Sequence, residues 1–204
     1  RRQRQMCIRD RYGEAASFLA SGQNVRPTRL LEAGFRFAKP TIEDFFESTD
    51  HAAVDRLDLH RYMGTWYEIA RFDHRFERGL SEVTATYTLM PDGTVRVENR
   101  GCKHKKPYDV CKTAEGRAKI PDPSQPGKLK VSFFLSFYSD YYVLELDQDE
   151  YNYALIGSSS DKYLWILSRA PILPEEIKKK LLDAATRRGY DVKKLIWVEQ
   201  REKK

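Results

Sequence analysis

Cysteine, histidine and glycine-rich motifs are scarce in this 204-residue sequence, and their scarcity excludes several kinds of site. The three cysteines include no C-x-x-C pair, which argues against zinc-ribbon and thioredoxin-type sites. The four histidines lack H-x-x-x-H spacing, so a metal centre is not expected. Walker, G-x-G-x-x-G and G-x-S-x-G motifs do not occur, so nucleotide binding and a serine nucleophile have no local support. We therefore expect no catalytic residue, no metal and no cofactor.

Long hydrophobic runs are also missing. No stretch approaches the roughly 20 apolar residues that a membrane-spanning helix requires, so we expect no transmembrane segment. The apolar run at residues 15–20 is shorter than the roughly 7 to 15 residues of a signal-peptide core. Residues 19–22 look like the start of a lipoprotein cleavage box, but Gln23 stands where the lipid-bearing cysteine would be required. Taken alone, these features predict a cytoplasmic location.

The positive charge is concentrated at the ends of the chain. Thirty-six Lys and Arg against 30 Asp and Glu give a net charge of +6. Residues 1–11 contribute five arginines against Asp10, a net of +4, and residues 201–204 add +2. Two lysine clusters, at 103–106 and 178–180, lack an adjacent RNA-binding aromatic signature or helix-turn-helix pattern. We interpret them as solvated faces and expect no nucleic-acid partner.

From Leu59 onward, short segments of alternating polarity recur, as is typical of an antiparallel sheet. Residues 83–89 alternate apolar with polar side chains, and Pro91-Asp92-Gly93 supplies the turn to the next strand. Eight strands of this length can close into an up-and-down barrel with room for one small ligand. The strands are predicted at residues 65–72, 83–89, 95 onward, 113–120, 129–135, 141–146, 153–157 and 163–168, with a ninth at 195–199.

One helix is predicted near the C-terminus. Pro174 suits a helix start, Glu175 and Glu176 favour its positive end, and Gly189 marks the stop. Its apolar stripe should pack on the outside of the sheet, and it consists of Ile177, Leu181, Ala184 and Ala185. The predicted fold class is therefore all-β, an eight-stranded antiparallel barrel with one C-terminal helix and a ninth strand, preceded by a short helical N-terminal segment.

Three motifs in order carry a family resemblance. Gly64-Thr65-Trp66 opens the first strand, Asp161 and Tyr163 precede the eighth, and Arg169 follows it. Because of these three motifs, the segment 53–200 resembles the lipocalin family. Residues 63–80 look like the opening of its bacterial outer-membrane subgroup, which is similar to apolipoprotein D and the plant temperature-induced lipocalins.

The resemblance implies a barrel closed at one end and open at the other. Gly64, Trp66 and Arg169 would form a structural floor, since a guanidinium over an indole is favourable. The implied function is non-enzymatic carriage or storage of a small hydrophobic ligand, a fatty acid or lysophospholipid, by a monomer or weak dimer. The resemblance alone also suggests an outer-membrane or periplasmic location.

Strand parity and the resemblance together predict the cavity lining. Ordinary barrel-core packing is the alternative for each residue, because a one-residue change of register turns a side chain outward. Arg71, Arg75 or Arg78 could pair with a ligand carboxylate near the rim, or be plain solvated charges. Glu145 shares parity with Val143 and could point inward. The predicted lining residues are Tyr87, Val97, Asn99, Val131, Phe133, Val143, Leu155 and Trp165.

Cys102 and Cys111 lie on either side of Pro107 in a predicted hairpin. They could pair across it. In an oxidising compartment a disulfide is expected, whereas in the cytosol two free thiols are favoured. The pairing is not one that the family resemblance implies.

The leading segment has its own resemblance. Residues 13–23 and 27–41 look like the C-terminal tail of epimerase-like short-chain dehydrogenases, without the nucleotide-binding part. Residues 1–12 are interpreted as a non-native or disordered leader. The domains are therefore 1–12, an epimerase-tail remnant at 13–49, a lipocalin domain at 50–200 and a basic tail at 201–204. The alternative function is the C-terminal module of an epimerase or oxidoreductase fused to a lipocalin, with an NAD(P)-dependent enzyme upstream.

Overall fold

The computed structural model describes residue 32 and residues 49–104, 108–134 and 137–201. Chain contacts divide the molecule into two units, Arg1–Phe46 and Glu47–Lys204. The predicted leader and nearly all of the epimerase-like tail lie outside the described residues. The elements of the second unit are α1 (Leu59–Tyr62), β1 (Gly64–Phe72), β2 (Ser81–Leu89), β3 (Val95–Lys103), β4 (Val110–Lys119), β5 (Lys128–Phe134), β6 (Phe137–Leu146), β7 (Tyr153–Gly157), β8 (Leu164–Ser168), α2 (Glu175–Arg187), a 3-10 turn (Val192–Lys194) and β9 (Leu195–Trp197).

The strands form one antiparallel sheet that closes on itself. Each of β2 to β8 pairs with its neighbour in sequence, β8 pairs with β1, and β1 pairs with β2. The closing register places Gly64 opposite Tyr87 and Trp66 opposite Ala85. A bulge between Glu68 and Ala70 bends β1, whose far half pairs with β9. The predicted eight-stranded barrel with a ninth strand is confirmed.

Several strands extend beyond their predicted ends. β4 begins at Val110 and β6 at Phe137, three and four residues before the sequence patterns begin at 113 and 141. Both extensions lie on hairpin arms that project past the core and are mostly exposed, so they carry no clean apolar alternation. β9 is shorter than predicted and ends at Trp197.

Two hydrophobic clusters fill the barrel and cover one side of it. The inner cluster lies inside the barrel around Trp66, and the outer cluster lies between the barrel wall and α2. The helix buries Leu181, Ala184 and Ala185 in the outer cluster, as its stripe predicts. Within the described residues, no helix combines the length and apolar character needed to cross a membrane. The inner cluster contains Tyr62, Trp66, Tyr87, Val95, Val97, Ala118, Leu129, Val131, Val143, Leu146, Tyr151, Ala154, Ile156 and Leu167.

The alternation of strand directions gives the barrel two distinct ends. β1 starts beside α1 at one end, which we call the floor, and finishes at the other, which we call the open rim. The connections after β2, β4 and β6 therefore lie at the floor. The connections after β1, β3, β5 and β7 lie at the open rim, and they include the segment 73–80, here named the rim loop.

Candidate functional site

The floor is built around Trp66 and Arg169. Trp66 is fully buried, and its indole N–H donates to the Tyr62 carbonyl at 2.9 Å. The Arg169 guanidinium carbon lies 3.9 Å from the Trp66 ring centroid. Gly64 has φ of 93°, and a Cβ there would stand 3.4 Å from an Arg169 terminal nitrogen, so glycine suits both the backbone and the contact.

Arg169 also ties the chain together at this end. Its guanidinium donates to backbone carbonyls on three segments. These are α1 together with Met63, which follows it, then β1, and the β6–β7 connection. The bonds reach Arg61 (2.8 Å), Tyr62 (3.1 Å), Met63 (2.8 Å), Thr65 (3.0 Å) and Tyr151 (3.3 Å). Arg169 therefore closes the floor by joining these three segments through their backbone carbonyls.

Three tyrosines form a layer above the floor. The Tyr141 hydroxyl shares hydrogen bonds with Tyr62 at 2.7 Å and with Tyr87 at 3.0 Å. The Tyr62 ring packs on Trp66, with centroids 5.0 Å apart. Burial raises the pKa of Tyr62, Tyr87 and Tyr141 well above the usual phenol value. The layer is therefore neutral at physiological pH.

One inner wall above this layer is small, apolar and accessible. Ala85 pairs with Asn99, which pairs with Ala114, and the next inward position on β4 is Gly116. The Phe133 ring lies over Gly116, where a Cβ would stand 2.8 Å from it. Phe133 is nevertheless 44% exposed and Ala114 is exposed. Inward residues that keep solvent contact mark the upper half of the barrel as an open cup. The face of the cup formed by Ala85, Asn99, Ala114, Gly116 and Phe133 is here called the small wall.

The opposite wall of the barrel is here called the polar wall. It carries a buried charged group formed by Glu68, Arg71 and Glu77, beside His74 and Trp165. Arg71 is 2% exposed and donates to the Glu68 carboxylate at 2.5 Å. Its other terminal nitrogen donates to the carbonyls of Glu77 at 2.7 Å and Leu80 at 3.1 Å. The rim loop is thus anchored from inside the barrel by a residue of β1.

Aromatic rings continue the polar wall toward the open rim. The Trp165 indole N–H donates to Glu77 Oε2 at 3.2 Å, and the Tyr163 ring stacks on Trp165 at 5.8 Å. Nε2 of the buried His74 lies 2.9 Å from the same Glu77 oxygen, and its ring lies 5.2 Å from Trp165. Glu77 is therefore the point where the rim loop meets the cup.

The electrostatics of the polar wall leave Glu68 protonated at neutral pH. Burial raises the pKa of Glu68 to about 8, with the nearby Glu77 charge adding to the shift and Arg71 opposing it. A carboxylic acid in this position can donate to Glu77 while accepting from Arg71. The group then holds one guanidinium and one carboxylate, and is close to neutral.

Seven of the eight predicted lining residues lie on the inner side of the barrel. Tyr87, Val97, Val131 and Val143 are buried in the inner cluster, and Trp165 packs against it. Phe133 lies over Gly116 on the small wall. Asn99 shares the inner face with Ala85, and its Oδ1 is buried without a hydrogen-bond partner among the described residues. The upper members of this set, Asn99, Phe133 and Trp165, border the cup.

The expectation for Leu155 is wrong. Leu155 lies in the outer cluster under α2, whereas its neighbours Ala154 and Ile156 belong to the inner cluster. The register explains this, since Ile156 pairs with Trp165, and residues directly opposite on neighbouring strands share a face. A bulge between Val143 and Glu145 shifts the parity of β6 against β7, and strand parity alone does not reveal it.

Two charged residues also differ from expectation. Arg71 is not at the rim but inside the barrel, paired with Glu68. Glu145, which could have pointed inward, instead pairs with Arg188 at 3.0 Å behind the barrel wall, because the β6 bulge reverses its side. Sequence reasoning missed Glu68, although its spacing of two from Trp66 in β1 was the available signal.

Cys102 and Cys111 form a disulfide between facing residues of β3 and β4. Of the two alternatives left open by the sequence, the structure contains the bonded form. Nearby, Glu82, His104 and Asp109 could present metal ligands within 4.8 Å of one another. Arg201 contacts both carboxylates at 3.3–3.5 Å, so the protein already supplies a cation there.

Replacing Cys102 and Cys111 together with serine is expected to lower the free energy of unfolding by about 2–3 kcal/mol. The bond spans a sequence separation of 9, and closing a loop of that size removes about this much chain entropy from the unfolded state. Urea denaturation under oxidising conditions measures the change. Adding reductant to the unaltered protein should reproduce it, and equal stability of all three samples would contradict it.

Comparison with known proteins agrees with this geometry. A family model described as a lipocalin-like domain matches residues 57–200. The outer membrane lipoprotein Blc of Escherichia coli is 50% identical over 147 residues, covering 72% of this chain and 81% of that protein. Temperature-induced lipocalin-1 of Arabidopsis thaliana is 42% identical over 158 residues, 73% and 82% of the two chains. Mouse apolipoprotein D is 34% identical over 154 residues, 72% and 78%.

A second family model, a domain of unknown function designated DUF1731, matches residues 8–49. Among solved structures, insecticyanin of the tobacco hornworm Manduca sexta superposes with a TM-score of 0.61 at 23% identity, over 76% of this chain and 87% of that one. That likeness concerns the fold alone. The family model covers most of the chain, and several relatives exceed 30% identity over more than two thirds of it. By fold, floor motif and sequence, the chain belongs to the lipocalin family.

Proposed function

We propose that this protein carries a single-chain amphiphile, a fatty acid or lysophospholipid, in the cup. The observation that carries the proposal is the small wall. Ala85 and Ala114 present small side chains that keep solvent contact above a sealed floor, and the Phe133 ring, packed on Gly116, gives that space an aromatic boundary. Concave, mostly apolar sites with few polar groups are typical of small hydrophobic ligands.

The energetics suit an acyl chain. Burying a methylene contributes about 0.8 kcal/mol, so ten to fourteen of them contribute roughly 8–11 kcal/mol. Association costs at least about 4 kcal/mol, which leaves at most about 4–7 kcal/mol, a dissociation constant between about 1 mM and about 10 μM. A ligand that reaches the tyrosine layer would bury its chain against the small wall along its length.

The polar wall favours an orientation with the head group at the open rim. Arg71 and Glu77 are engaged within the protein, and protonated Glu68 offers no net charge to a ligand carboxylate. A charged head group placed beside them would lose its hydration without a dedicated partner. Among the described residues of the small wall, Asn99 Oδ1 is the buried polar atom without a partner, and as an acceptor it suits a hydroxyl group of the ligand rather than a carboxylate.

Filling the cup is expected to weaken binding strongly. Ala114→Phe places a ring in the open space, whereas Thr113→Phe puts the same ring one residue away on the outer face. We expect the first to weaken binding of a fluorescent fatty acid at least tenfold and the second to leave it unchanged. Native mass spectrometry of the same proteins with fatty acids and lysophospholipids identifies which class is retained. Equal binding by both variants would show that the ligand does not occupy the cup.

A second candidate rests on residues 8–49. Their match to DUF1731 and their resemblance to the tail of epimerase-like dehydrogenases favour a fusion in which the barrel serves an upstream enzyme. Sequencing the genomic region upstream tests it. A reading frame with a strand followed by G-x-x-G-x-x-G supports the fusion, and a stop codon close upstream rules it out.

A further inference from the structure

The most exposed large apolar side chains of the described residues are concentrated at the open rim. Phe76 is 69% exposed, Tyr108 80% and Phe137 74%. Val110 and Phe133, at 46% and 44%, belong to the same end. Single exposed apolar residues are ordinary, but a group at one end of a molecule marks an interaction surface.

Topology brings these residues together. Phe76 lies on the rim loop after β1, Tyr108 on the connection after β3, and Phe137 opens β6 after the β5–β6 connection. These three connections follow one another around the rim, since β1 to β6 are consecutive neighbours in the sheet. The fourth connection, residues 158–163, is polar and begins with three serines. The apolar tips therefore occupy one arc of the rim.

The charges around this arc are mainly positive. Arg75, Lys103 and Lys112 are exposed there. Arg78 is paired with Asp73, and Arg201 with Asp109. Because these two pairs are each neutral, the positive charges of Arg75, Lys103 and Lys112 remain as an excess beside the apolar tips. Aromatic tips flanked by lysine and arginine suit the interface of a bilayer whose head groups are anionic.

Other exposed apolar residues lack this combination. Ile172 is 63% exposed but lies in the connection between β8 and α2, away from the rim. Trp197 is 45% exposed, and the Lys178 ammonium lies 4.2 Å from its ring centroid. The rim arc is thus distinct from the rest of the described surface in combining exposure, clustering and charge.

We propose that the open rim is a docking surface for anionic phospholipid bilayers, with Phe76, Tyr108 and Phe137 seated among the head groups. In this orientation the mouth of the cup faces the lipid. The docking does not depend on the proposed ligand, because Phe76, Tyr108 and Phe137 are exposed and are not among the residues of the small wall or the polar wall.

Vesicle sedimentation tests the proposal with the full chain. The vesicles are phosphatidylcholine alone and phosphatidylcholine with phosphatidylglycerol. We expect binding to the anionic vesicles and at least a tenfold loss of it in the triple variant Phe76→Ser, Tyr108→Ser, Phe137→Ser. The control Ile172→Ser removes an apolar side chain that is 63% exposed elsewhere on the surface, and it should bind as the unaltered protein does. Every protein keeps the arginines of residues 1–11, so their contribution cancels.

A second pair of variants tests the charge. Lys103→Glu with Lys112→Glu should weaken binding at least fivefold, whereas Lys179→Glu with Lys193→Glu, on and after α2, should have little effect. No binding by the unaltered protein, or equal binding by the triple variant, would overturn the proposal. Fatty-acid binding in solution is measured alongside. If the triple variant loses both activities while its circular dichroism is unchanged, vesicle association reflects uptake into the cup and docking is refuted.

Discussion

Replacing Arg169 with methionine is expected to lower the free energy of unfolding by about 3–5 kcal/mol. The guanidinium lies 3.9 Å from the Trp66 ring and donates to five carbonyls across three segments. Methionine fills similar volume but donates no hydrogen bond. The Tyr62 carbonyl would keep the Trp66 indole as a donor, but the partly buried carbonyls of Met63 and Tyr151 would lose the guanidinium, and each such loss at a charged donor costs about 1.5–3 kcal/mol when water cannot replace it.

Urea denaturation followed by circular dichroism measures this change. Arg169→Lys keeps a cation over the indole but cannot reach several carbonyls at once, so we expect about half the loss. The exposed Arg187→Met on α2 is the matched control and should stay within about 0.5 kcal/mol of the unaltered protein. A loss below about 1 kcal/mol for Arg169→Met would show that the floor does not depend on the arginine.

Glu68→Gln is expected to stabilise the protein at alkaline pH and to have much less effect at pH 5. In the folded state the pKa of Glu68 is raised from 4.5 to about 8, chiefly by burial and next by the Glu77 charge. The folded protein therefore binds a proton that the unfolded chain releases above pH 4.5. Stability falls as pH rises between these two values, by up to about 1.4 kcal/mol per pH unit. Glutamine imitates the protonated acid and removes this slope.

Over that window we expect the variant to gain about 2–4 kcal/mol relative to the unaltered protein. Urea denaturation at pH 5, 7 and 8.5 measures the difference. Glu150→Gln, at an exposed position in the β6–β7 connection, should give the same small difference at all three values. A pH-independent difference for Glu68→Gln would mean that Glu68 is ionised in the folded protein throughout.

Sequence patterns correctly located the residues that repeat at a regular helical or strand period and those that belong to a family motif. The α2 stripe at Leu181, Ala184 and Ala185 repeats at helical spacing, and it is buried as predicted. The span of β7 matches its predicted residues 153–157. Gly64, Trp66 and Arg169 were recognisable because a family motif records their joint requirement, and they form the floor.

The polar wall was less accessible to such reasoning. Glu68 and Arg71 are three residues apart, a spacing that turns the two side chains to opposite faces of a regular strand. The bulge after Glu68 brings both into the barrel, where they pair at 2.5 Å. Glu77 and His74 belong to a loop without periodicity, and only the fold of that loop over the rim places them beside Trp165.

Alternation and helical period predicted the succession of strands and the position of α2, because they are local properties that burial enforces along the chain. The closure of the barrel at Trp66 was predicted instead from the family resemblance. The tertiary structure decided which face Leu155, Glu145 and Arg71 occupy. A bulge adds one residue to a strand and exchanges inside for outside from that point on, and its position depends on the neighbouring strand rather than on the strand's own sequence.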